Sequence, residues 1–166
     1  MWPEGRTPQH LTTIRGVIQL RRAEPRGGPC EVAAFDNAVR VDGIPVHQEA
    51  ARLHLLFGTS RPEAERTVIG RLALHYADGE TRLLDLIHAR DVRAWWYDPA
   101  KADAETTDRA KVVWTGLNPV ANEYGRRLRL YLNTRENPRP GVKITAFDFV
   151  SAMTDSAPFL IAVTVE

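Results

Sequence analysis

The chain predicts an all-β fold: one two-sheet antiparallel β-sandwich of jelly-roll topology. Three observations lead there. Short runs alternating between apolar and polar residues recur along the sequence, the period-2 signature of half-buried strands. Turn residues punctuate these runs, with 11 glycines and 11 prolines in 166 residues. Helical periodicity is thin, and many short strands with Gly/Pro-rich turns build a sandwich.

Each element follows in order. Residues 16–21 read as a strand, then 31–35 after the turn Arg26-Gly27-Gly28-Pro29. Residues 39–41 and 44–46 face each other across Asp42-Gly43, predicting a tight hairpin because both residues tolerate positive φ. In 51–57, Leu53, Leu55 and Phe57 share one face, which marks a central strand. Residues 67–77 and 81–87 flank Asp78-Gly79, the strongest hairpin signal in the chain. Residues 112–115, 127–133, 142–150 and 158–166 complete the set. In the last, Phe159, Ile161, Val163 and Val165 alternate with Leu160, Ala162 and Thr164. Residues 61–65 and 100–108 are polar and short, each a loop or a single surface turn, and 98–109 is the least hydrophobic stretch. Residues 1–12 read as an N-terminal extension and 13–166 as one domain.

Composition narrows the partners. Lysine plus arginine is 22 against 21 acids, a net charge of +1, so no global field draws the chain to nucleic acid. Arg126, Arg127 and Arg129 are the densest basic cluster, which a solvated strand face explains. No apolar run approaches the roughly 20 residues of a membrane helix, and residues 1–5 show no signal-peptide pattern. Neither observation assigns a compartment. The single cysteine, Cys30, excludes an internal disulfide and a four-cysteine zinc site.

Trp95-Trp96-Tyr97 is the candidate ligand-binding cluster. Flat aromatic rings stack on the apolar faces of sugars, and consecutive strand residues point to opposite sides. At most one tryptophan therefore faces the core, while the other faces outward or covers the sheet edge. Trp114 lies in an apolar strand and reads as core. His54 and His75, on strands expected to be adjacent, would approach each other with Asp78 or Asp85 near, but without zinc-signature spacing. No cofactor is expected. A structural calcium stays open, with Asp36, Asp42, Asp148 and Glu166 spread along the chain and no loop dense in ligands. The pattern Gly-x-Ser-x-Gly is absent, and no histidine lies near Cys30. Asp85, Glu136 and Asp148 are the carboxylates that a glycoside hydrolase would have to draw on.

The stretches Gly43-Ile44-Pro45-Val46, Arg52 to Phe57, Ile69-Gly70-Arg71, His75-Tyr76-Ala77-Asp78-Gly79 and Asp91 to Trp96 carry a resemblance, together with Trp114-Thr115-Gly116, Asn137-Pro138-Arg139-Pro140 and Ala157-Pro158-Phe159-Leu160. Over residues 13–166 the chain resembles C-terminal β-sandwich domains of planctomycete-type bacterial proteins, which look like galactose-binding-like jelly rolls. The resemblance implies an accessory domain of a secreted hydrolase or membrane-tethered regulatory protein, with ligands held by loops at one end and sugars the usual ligand class. It carries over no catalytic residue. Ala94 stands where the family more often has an acid, and Phe57 where it tends to have a histidine.

Three functions follow. The first is a non-catalytic accessory module that binds carbohydrate through Trp95, Trp96 and Tyr97. The second is a protein-interaction or structural domain that contacts other domains of a larger regulatory or envelope protein. The third, least favoured, is a hydrolase.

Overall fold

Leu53, Leu55 and Phe57 are fully buried on one face of their strand, as their spacing requires. That strand, β3 (Arg52–Thr59), lies inside a sheet, bonded on both sides. In this computed structural model the described residues are 18–20, 38–101 and 107–166. They form two antiparallel sheets. The strands are β1 (Ile18–Gln19), β2 (Arg40–Gln48), β3, β4 (Val68–Tyr76), β5 (Thr81–Ile87) and β6 (Trp96–Tyr97), then β7 (Ala110–Gly116), β8 (Arg127–Glu136), β9 (Ile144–Ser151) and β10 (Pro158–Val165). One sheet runs β1-β10-β3-β8-β6, with β7 on the other side of β8. The second runs β2-β9-β4-β5.

The core lies between the sheets. Leu53, Leu55, Phe57 and Tyr131 come from the first, and Leu72, Leu74, Phe147 and Phe149 from the second. Each large apolar side chain removed from water contributes about 1.5–3 kcal/mol, so this double layer is the main source of stability. The strand at 31–35, Cys30, Asp36 and the turn at 26–29 lie outside the described residues, as do 1–17, Trp2 and His10 among them, and 102–106.

In both Asp-Gly pairs the glycine alone takes positive φ, with different results. Gly79 has φ +86° and closes the β4–β5 hairpin, with its N–H donating to Tyr76 O at 3.0 Å. Gly43 has φ +68° yet makes no hairpin. Residues 40–48 are one strand paired to β9, and the register shifts between Val41 and Ile44. The predicted 39–46 hairpin is thus a bulge. Asp148 explains the preference: its carboxylate accepts the Gly43 N–H at 2.9 Å, so the glycine turns toward β9. A bulge also interrupts β10 between Leu160 and Ala162. It breaks the strict alternation expected there, burying Phe159, Leu160 and Val163 instead.

One helix escaped the period-based reading because it is a single turn: α1 (Pro119–Glu123). Its signal was present in Asn118-Pro119. Asn118 caps the Ala121 N–H with its side chain at 2.7 Å, and proline occupies the first turn, where no N–H is needed.

Candidate functional site

The segment that carries β6 is held by a buried arginine of β8. Arg129, 3% exposed, donates to Ala94 O at 3.0 Å and lies 4.4 Å over the Tyr97 ring and 5.5 Å over Tyr131. The Trp95 N–H donates to Thr59 O and the Arg129 N–H to Trp95 O. This corrects the reading of the arginine cluster as a solvated face: Arg127 is exposed, but Arg129 is an interior anchor.

The three predicted ligand residues part company at this anchor. Trp95 packs edge-on against Phe159, with centroids 5.4 Å apart and planes at 80°. Tyr97 lies beneath Arg129. Trp96 pairs with Leu128 in register, and its ring meets Tyr124 at 6.1 Å. All three are half-buried.

Register places a second tryptophan on the same outer row. Residues directly opposite in antiparallel strands share a face. Leu128 faces Trp96 on one side and Gly116 on the other, and Leu130 faces Trp114. Trp96, Leu128, Gly116 and Trp114 therefore share the outer face of the first sheet. Trp114 was expected in the core but is 47% exposed. The physical reasons are local. Strand β7 is an edge bonded only to β8, and a bulge at Val113 shifts its register. Gly116 lacks a Cβ, and the six-membered half of the Trp114 indole occupies the space one would fill. The ring lies back along its own strand and leaves its far side to solvent.

Polar groups border these rings. Asp98, two residues beyond Trp96 and just past the end of β6, pairs with Arg126 at 2.8 Å. Its carboxyl is held below the ordinary range by the Ala100 N–H and by Arg126, against a burial effect in the opposite direction. Tyr124 is 55% exposed. Of the seven large hydrophobic residues most exposed among those described, five lie between Val113 and Tyr124.

The other candidates are differently placed. His54 and His75 are not on adjacent strands: β3 and β4 belong to different sheets. His54 hydrogen-bonds Thr134 at 2.9 Å. His75 bridges Thr81 at 3.1 Å and Asp148, itself buried, at 2.8 Å. Burial pushes the Asp148 carboxyl up. The Gly43 N–H, His75 and Arg40 outweigh burial and hold it below the usual range. Arg40 contacts both Asp42 and Asp148, so a cation already stands between those two calcium candidates. Among the described residues no three His, Cys, Asp or Glu side chains group closely enough to hold a metal.

The hydrolase carboxylates are likewise engaged. Asp85 pairs with Arg71 at 2.7 Å and Glu136 with Arg52 at 2.9 Å. A cleft of about 430 Å³ is lined by Arg109, Thr134, Arg135 and Glu136. Behind it Asp91, fully buried, accepts the Ile87 N–H at 2.8 Å and the Asn133 amide at 3.1 Å. Asp91 also lies 3.8 Å from Arg109 and 3.6 Å from Arg135, two of the residues that line the cleft.

No helix among the described residues is long and apolar enough to cross a membrane. Comparison of the chain with protein-family models, with curated proteins and with solved structures finds no match in any of the three.

Proposed function

We propose that the chain is a non-catalytic accessory module that binds carbohydrate on the outer face of its first sheet. The observation that carries this is the Trp114 indole lying over Gly116 with one side open to solvent, on the same row as Trp96. Sugars present flat C–H faces that stack on such rings, while their hydroxyls need paired donors and acceptors. The Asp98–Arg126 pair supplies both, the carboxylate accepting and the guanidinium donating. The reading keeps Trp96 as a ligand residue, assigns Trp95 and Tyr97 to support, and adds Trp114 and Tyr124. The strand orders β1-β10-β3-β8 and β2-β9-β4-β5, with β6 and β7 inserted between β5 and β8, support a jelly-roll topology for the module. An accessory role in a larger protein agrees with a site that binds without reacting.

A glycan array on the purified chain, read beside tryptophan fluorescence, tests it. Binding that Trp114→Ala removes without lowering the melting temperature supports the reading. Absence of binding to every glycan contradicts it.

The aliphatic neighbours favour a second reading. Val113, Leu117 and Val120 are exposed beside Trp114 at a sheet edge, and contiguous apolar surface also marks protein contacts. Here the occupant is a second copy of the chain, paired through β7 about a two-fold axis. Sedimentation decides: a dimer that Val113→Asp dissociates supports it, and a monomer at high concentration rules it out.

A further inference from the structure

Resting on the carbohydrate reading, we infer that the ligand is an extended oligosaccharide or polysaccharide chain, recognised along its length, rather than a free monosaccharide or a chain end. Trp96 and the Trp114–Gly116 platform flank Leu128 on consecutive strands of one sheet. Two strand spacings separate the row positions of Trp96 and Gly116, about 10 Å. A single pyranose ring is narrower than that span and covers one platform at a time. A chain of several units reaches both, and the second contact then forms intramolecularly at high effective concentration.

The setting agrees with this. Leu128, between the two platforms, is only 4% exposed, so the rings rather than the strand between them offer the surface along which a chain would lie. The 430 Å³ cleft lies elsewhere, against Arg109 and the far end of β8. The Asp98–Arg126 pair lies just past the end of β6, two residues from Trp96. A pocket for one sugar would instead converge polar groups around a cavity.

Length dependence is the readout. The full chain is titrated calorimetrically with gluco-, manno-, xylo- and chito-oligosaccharides of one to six units. In the series that binds, affinity is expected to rise about tenfold or more between one unit and four to six, then level off. Trp114→Ala and Gly116→Ala are each expected to flatten that rise. Gly116→Ala keeps every aromatic ring but lifts the indole from its seat, so its effect reports placement. Equal affinity for the monosaccharide and the hexasaccharide overturns the inference and leaves the carbohydrate reading standing. Failure of every member of every series to bind overturns the carbohydrate reading itself.

Discussion

Arg139 grips Asp78 through two parallel N–H···O bonds of 2.9 and 2.6 Å, joining the β4–β5 hairpin to the turn that follows β8. Beside them the Tyr76 hydroxyl donates to Asn137 Oδ1, and the Asn137 amide donates to Ala50 O at 2.7 Å. The sequence stretches His75-Tyr76-Ala77-Asp78-Gly79 and Asn137-Pro138-Arg139-Pro140 thus meet as a corner that fastens the two sheets. Their side chains are spent on each other.

Asn137→Ala tests that corner. The substitution strands the buried Tyr76 hydroxyl and the Ala50 carbonyl, at about 1–3 kcal/mol for each group left unpaired. Chemical denaturation should show a lower midpoint with unchanged glycan binding. An unchanged midpoint would mean that water replaces the amide and the corner is not a fastening.

Two glycines should fail for different reasons. Gly79→Val forces a β-branched residue to φ +86° in open space, costing roughly 1–3 kcal/mol of backbone strain. Gly58→Ala has no such strain, but its Cβ would enter the Phe159 ring, an overpacking cost of roughly 1–3 kcal/mol. Because Phe159 also packs Trp95, only Gly58→Ala should alter the near-ultraviolet dichroism. Identical spectra for both variants would contradict the placement of Trp95.

Acid should loosen the molecule through His88. The ring is buried, its Nδ1 has no partner, and its Nε2 accepts the Glu63 N–H at 3.4 Å. Burial, then Arg93, pushes its pKa below the usual value of 6.5, against Glu63 and Glu65. The unfolded chain therefore takes up the proton first. The stability that neutral His88 provides is complete above about pH 6.5 and is lost as pH falls through the lower folded value. His88→Gln should make the melting temperature less sensitive to pH in that window. A slope identical to that of the parent chain would assign the acid sensitivity elsewhere.

Architecture was legible where a local pattern and its tertiary environment agree. The Leu53-Leu55-Phe57 alternation and the Asp78-Gly79 turn each encode their own geometry. Asp42-Gly43 encoded the positive φ but not its use, because the deciding group, Asp148, lies 105 residues away from Gly43. Trp114 misled for a related reason. An apolar strand reads as core, and nothing in the local pattern tells an edge strand from a central one. The signal that could have found it was Gly116 two residues on, a missing side chain on the same face. Trp95 and Trp96 meet different partners, Phe159 and Tyr124, and only Trp96 lies within a strand. Which one faces outward depended on pairing with Leu128.

The four tryptophans offer separate reporters, one indole N–H each. Their proton–nitrogen resonances, followed while the chain is titrated with the oligosaccharide series, test the binding face most directly. The account predicts that the Trp96 and Trp114 signals move together and saturate, while Trp95, packed against Phe159, stays still. Movement of Trp95 alone, or of no indole at all, would contradict it.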